Sequence, residues 1–118
     1  MASYKDLIAW QKAIELVDVI YDLTETSPQR ELYGLANQLR RAAVSVPSNI
    51  AEGQTHFTRP DFKRFLRTAK GSLAEIETQL IIAASRKYIS KESLDSVLKQ
   101  VDELSRIISG LIASLVEK

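Results

Sequence analysis

Apolar residues recur at steps of three and four along almost the whole chain, the period of a helix buried on one side. The first such segment runs from about Asp6 to Glu25. There Leu7, Trp10, Ile14, Val17 and Tyr21 form one stripe, and Ala13, Leu16, Ile20 and Leu23 form a second beside it. The apolar face is therefore wider than a two-stripe seam needs. Ser27-Pro28 opens a second segment, with serine as N-cap and proline at the first helical position. Leu32, Ala36, Leu39, Ala43, Val46 and Ile50 carry it to Gly53, read as a C-terminal glycine in the left-handed conformation, and Gln54 to Phe57 form the connection. Thr58 and Asp61, with Pro60 between them, have the spacing of a capping box. The third segment follows through Phe62, Leu66, Ala69, Leu73, Ile76, Leu80 and Ala83, long enough for a helix of roughly 40 Å, and Arg86-Lys87 suit its C-terminal dipole. Ser90 caps a fourth segment keyed by Val97, Val101, Leu104, Ile108, Leu111 and Leu115. No window alternates with period two. Long helices joined by short links predict an all-α, antiparallel up-down-up-down four-helix bundle, with residues 1–118 as a single domain.

One stretch interrupts this regularity. From 38 to 53 the apolar positions share their helix with a polar face of Gln38, Arg41, Ser45, Asn49 and Glu52, and Pro47 falls in the middle. Proline lacks the N–H that would bond the Ala43 carbonyl, and its ring crowds that carbonyl, so the second helix is predicted to kink at Pro47. The polar stripe has two readings. As structure, Ser48 or Asn49 satisfies the freed carbonyl while Arg41 pairs with Glu75 or Glu77. As function, the stripe lines a pore or groove of an assembly. The structural role, oligomer contacts included, is the favoured one. Surplus apolar surface also points beyond a monomer: the extra stripe of the first helix is matched on the fourth by Leu94, Leu98, Ile112 and Val116. The small residues Ser109, Gly110, Ala113 and Ser114, with Gly71-Ser72, predict a helix crossing too close for a side chain. The alternative is that both stripes fill the core of one monomer.

Composition narrows the chemistry. There is no cysteine, hence no disulfide framework and no thiolate metal site, in keeping with a reducing compartment. An acid stands at Asp6, where a signal peptide would be apolar, and the longest apolar run, Leu80 to Ala84, is far short of a bilayer span. A soluble, cytoplasmic protein with no membrane partner is expected. His56 is the sole histidine, in the second connection, with no cysteine to activate and no candidate triad. Glu52 and His56 do not have the Glu-x-x-His spacing of di-iron bundles, and Glu75 and Glu77 diverge around a helix. Ala51 stands where an Arg-x4-His ribonuclease would need arginine, and the four glycines make no phosphate loop. The chain reads as non-enzymatic, with no metal and no cofactor.

Charge restores a candidate. The net charge is only +1, yet Thr26 to Ser72 holds eight Lys/Arg against three acids, a local +5, and the remainder carries −4. Lys63, Arg67 and Lys70 share one face of the third helix with Arg64 alongside; Arg59 precedes this helix and Arg40 lies in the second. Such a face could neutralise phosphates with salt-dependent, mostly sequence-independent affinity, and Phe57 is the best candidate for base stacking. In a monomer the favoured reading is a solvated face paired with acids of the first and fourth helices; an oligomer repeats the patch around a symmetry axis and favours a polyanion partner.

Three blocks carry a family resemblance: Leu7 to Ala13, Gln38 to Gly53, and Gly71 to Leu80. Over nearly its whole length the chain resembles the bacterial "four helix bundle protein" family, encoded within intervening sequences of large-subunit ribosomal RNA genes. That family is similar to the accessory variability protein of diversity-generating retroelements. The resemblance implies a four-helix protomer assembled into a barrel-like homopentamer, with no established enzymatic activity. The retroelement relatives carry a basic surface that binds nucleic acid and a reverse transcriptase; they are especially basic, and a net charge of +1 departs from that. The expectation is a homo-oligomer, a pentamer by resemblance, that binds nucleic acid, RNA ahead of DNA, through helices 2 and 3. The alternative is an oligomeric scaffold for a protein partner with no nucleic-acid role.

Overall fold

The computed structural model describes residues 3–25, 30–56 and 58–115, with side chains in the second helix described from Gly34 onward. A short 3-10 turn, Tyr4–Asp6, precedes α1 (Ile8–Glu25), α2 (Arg30–Thr55), α3 (Arg59–Ser85) and α4 (Lys91–Ser114). There is no strand among the described residues. The expected Ser27-Pro28 cap, the side chain of Leu32, Phe57 and Val116 lie outside the described residues.

Local chemistry sets the boundaries. Ser3 and Asp6 exchange bonds in a capping box: Ser3 Oγ accepts from the Lys5 N–H at 3.1 Å, and the Asp6 carboxylate accepts from the Ser3 N–H at 3.2 Å. Thr58 caps α3, its hydroxyl accepting from the Asp61 N–H at 3.2 Å. Ser90 caps α4 in the same way through the Ser93 N–H at 3.0 Å. At the other end of α3, Lys87 takes φ 64°. Its N–H donates to the Ala84 carbonyl and that of Tyr88 to Ala83, the two bonds of a Schellman ending. Arg86 and Lys87 thus terminate α3 by backbone geometry. No helix among the described residues is long and apolar enough to cross a membrane.

Each helix packs on its chain neighbours, and α4 returns to α1, closing a ring of four in an envelope of 50 × 20 × 19 Å. Contacts across three of the four seams run in opposite sequence directions. Between α2 and α3, Gln38 meets Gln79, Ser45 meets Ser72, and Gly53 lies against Phe65. Lys70 reaches Ser109 on α4, while Glu77 shares a cleft with Asp102. Lys12 pairs with Glu103, while Leu23 shares a groove with Glu92. The core takes one stripe from every helix, including Leu16 and Ile20, Val46 and Ile50, Leu73 and Ile76, Leu104 and Ile108.

Three expectations need correction. On α1 the buried stripe is Ala9, Ala13, Leu16 and Ile20, completed by Thr24; Ile14 (36% exposed) and Tyr21 (37%) sit on the rim. The other members of the expected first stripe, Leu7, Trp10 and Val17, are half-buried and pack against the edge of the core. Gly53 does not end α2, which runs on to Thr55, and it has no positive φ. Glycine is needed there for another reason: a Cβ would stand 2.6 Å from Phe65 Cβ and 3.0 Å from a Phe62 ring carbon. The close crossing expected at Gly71 and Gly110 does not occur within this chain, since nothing lies within 4 Å of a Cβ at either.

Pro47 sits inside the continuous α2 with its ring buried. Next to it Asn49 Nδ2 donates to the Ser45 carbonyl at 2.8 Å, and Ser45 Oγ to the Ala42 carbonyl at 2.7 Å. Neither Ser48, which is exposed, nor Asn49 reaches the Ala43 carbonyl as expected. The amide instead takes a carbonyl on its own face of the helix, one that an i, i+4 side chain can meet without crossing the core.

Gly53→Ala separates two effects of opposite sign. Helix propensity favours alanine by up to about 1 kcal/mol, whereas overpacking against Phe65 costs about 1–3 kcal/mol. Chemical denaturation should show a net loss of stability, because Phe65 Cβ cannot retreat without moving α3. An unchanged or higher midpoint would mean that the α2–α3 approach is slack.

Candidate nucleic-acid interface

The basic residues of the second and third helices do not form one surface. Over the first three turns of α3, Arg59, Arg64 and Arg67 are exposed, while Lys63 and Lys70 are half-buried along the edge toward α4. The separation follows from spacing. Phe62, Leu66, Ala69 and Leu73 point inward, leaving 64 and 67 to solvent and 63 and 70 to one flank. Lys70 Nζ donates to Ser109 Oγ on α4 at 2.6 Å, which fixes the ammonium at the α3–α4 edge. Arg64 lies over the Phe65 ring at 4.5 Å from its centroid and 3.7 Å from Asp61. His56 Nδ1 stands 3.6 Å from the same carboxylate, and its ring packs on Phe65 at 4.9 Å between centroids. Asp61 is the one acid on these turns, and it joins the end of α2 to the start of α3 rather than closing the capping box.

Arg40 stands apart from this set. It crosses to α1, where its Nε donates to Thr24 Oγ1 at 2.8 Å and its guanidinium covers the Tyr21 ring at 4.6 Å. Thr24 is itself buried, its hydroxyl donating to the Ile20 carbonyl at 2.8 Å. A threonine completing the core stripe of α1 was the sequence signal for this anchor, and apolar periodicity passes over it.

The polar stripe of α2 lies largely along the α2–α3 seam. Ser45 and Ser72 hydroxyls meet across it, and Gln79 Nε2 donates to Gln38 Oε1 at 3.3 Å and to Glu75 Oε2 at 3.2 Å. Gln38 and Glu52 are exposed and Asn49 is half-buried. Arg41 forms no ion pair with Glu75 or Glu77 among the described residues; Gln79 occupies Glu75 instead. Sequence reasoning missed Gln79, a polar residue at a core position of α3. It is 6% exposed, and its Oε1 has no partner among the described residues. No group of three or more His, Asp and Glu among the described residues could hold a metal ion.

A family described as 23S rRNA-intervening sequence protein matches residues 5–110. Among solved structures, the chain is similar to a protein with unknown function from the S23 ribosomal protein family of Bacteroides thetaiotaomicron VPI-5482. The two share 22% identity and superpose with a TM-score of 0.79, over 89% of this chain and 98% of that one. At that identity the likeness shows a common fold. No curated protein matches the chain.

The buried amide of Gln79 supplies a test of the seam. Gln38 and Glu75 are exposed and keep water as a partner, so Gln79→Met removes an unsatisfied buried oxygen at little loss elsewhere. Thermal denaturation should show equal or greater stability, by up to about 1 kcal/mol. A loss larger than that would show that the Gln38–Gln79–Glu75 network holds the helices together.

Proposed function

Because the chain belongs to the 23S rRNA-intervening sequence protein family, we propose that it is a non-enzymatic homo-oligomer, a pentamer by resemblance, that binds nucleic acid, RNA first, in the cytoplasm. The observation that carries this reading is the first three turns of α3. Arg59, Lys63, Arg64, Arg67 and Lys70 are gathered there with Asp61 as the one acid among them. Helix geometry spreads these charges along a rigid surface, which suits a phosphate backbone better than a compact anion. Repetition of the surface around a symmetry axis would multiply its field. Arg40 is not part of that surface, since its side chain is engaged with α1.

A second reading, a scaffold for a protein partner, rests on exposed apolar side chains. Ile81 (48% exposed) and Ile82 (44%) face solvent near the end of α3, at the opposite end of that helix from the basic turns. On this reading the basic face only orients the partner.

Binding of a structured RNA across a salt series separates the two. Wild type should bind with a steep negative slope. The Lys63→Glu/Arg67→Glu/Lys70→Glu variant, at unchanged helicity and mass, should lose affinity and reduce the slope by about 3. Absence of binding by wild type at low salt would leave the scaffold reading. Sedimentation gives the assembly independently: about five times 13.2 kDa is expected, and a monomer mass at micromolar concentration would remove the oligomer.

A further inference from the structure

A depression on the outer surface of α2 carries two arginines and, among the described residues, no acid in its lining. It opens beside α1, has a volume of about 700 Å³, and is lined by Tyr21, Asn37, Arg40, Arg41, Val44 and Ser45. Asn37, Arg41 and Ser45 follow one another at steps of four on α2, with Arg40 and Val44 beside them and Tyr21 as the far wall. We infer that this depression binds a phosphoryl group carried on an organic body, at a place separate from the α3 surface.

The argument rests on which donors are already engaged. Arg40 is held in place by Thr24 through its Nε and by the Tyr21 ring beneath it, with its Nη2 3.5 Å from the Tyr21 carbonyl. Its Nη1 has no partner among the described residues, so a fixed cation presents its far end to the depression. Arg41 is exposed and makes neither an ion pair nor a hydrogen bond among the described residues. Asp18 and Glu25, one turn to either side of Tyr21, pair with neither arginine. Asn37 is exposed and adds an amide donor. Ser45, whose hydroxyl is spent on Ala42 and Ser72, contributes shape only.

Two guanidinium groups line the same depression, one of them pre-positioned by α1, and both offer charge-assisted bonds to the oxygens of a phosphate. Val44, 41% exposed in the same lining, offers an apolar surface on which the ligand's organic part can rest. A ligand of this kind could be a free nucleotide or one residue of a nucleic-acid backbone, and the phosphoryl group is the shared chemistry.

Modification of arginines by phenylglyoxal, mapped by peptide mass spectrometry on the full chain, reads the site directly. Arg106, exposed on α4 and paired with Asp102 at 3.0 Å, serves as the internal reference. Inorganic phosphate and AMP should slow modification of Arg41 but not of Arg106, and adenosine should protect neither. By calorimetry, Arg41→Ala should weaken AMP binding roughly tenfold, while Lys63→Glu/Arg67→Glu/Lys70→Glu leaves it unchanged. Stronger protection by AMP than by a short single-stranded RNA at equal phosphate identifies a free nucleotide; the reverse order identifies a backbone. The assignment fails if Arg41 does not react in the absence of ligand, if Arg41 and Arg106 are protected equally, or if AMP binding survives Arg41→Ala. None of these failures bears on the α3 surface, whose charge-reversal variant is the control.

Discussion

Phe65 on α3 packs onto α2 at Gly53 more closely than any residue with a side chain would allow, and the rest of the bundle is arranged around that approach. Contact at this point, so near the link between the two helices, fixes how far α3 can slide along α2. The register then carries down the seam: Ser45 falls opposite Ser72, and Gln38 opposite Gln79. Sliding α3 along α2 would part these pairs and leave the buried amide of Gln79 without partners, a larger loss than any single hydrogen bond supplies. The polar pairs are therefore consequences of the glycine contact as much as contributors to stability.

Charge is organised on this frame in two different ways. On α3 the cations are spread along a convex surface, and Lys70 is braced by a serine of the next helix. On α2 they are concentrated in a depression, and Arg40 is braced by a threonine of the preceding one. In both places a hydroxyl accepts from a long cationic side chain. That lowers the entropy the side chain has left to lose when an anion arrives. The chain's small net charge conceals both arrangements, because the acids that balance it lie mostly on α1 and α4.

Helix number, approximate boundaries and most core residues of α2, α3 and α4 were legible because apolar spacing and capping chemistry are local properties. The failures share a cause. Ile14 and Tyr21 dominate the pattern of α1 by size, whereas the buried stripe runs through the small residues Ala9 and Ala13. Gly53 was read as a helix end because a glycine's own conformation is the usual reason for its presence; here the reason lies across the seam, in Phe65. The candidate site divides similarly. The neighbourhood of Lys63, Arg64, Arg67 and Lys70 followed from helical spacing, whereas the destination of Arg40 depended on a threonine of α1 placed by tertiary packing. Gln79 stands three residues after Ile76 and four before Ala83, a core spacing, but a pattern built on apolar residues passes over an amide there.

The ring of helices also has an uneven history built into it. Gly53 and Phe65 are close in sequence, so the α2–α3 hairpin closes a small loop and meets early in folding. Lys12 and Glu103 come from opposite ends of the chain, and the α1–α4 seam can form only after a loop of nearly full length has been closed. The seam that completes the ring thus carries the largest loop-closure cost of the four, and the α2–α3 hairpin the smallest of the seams described.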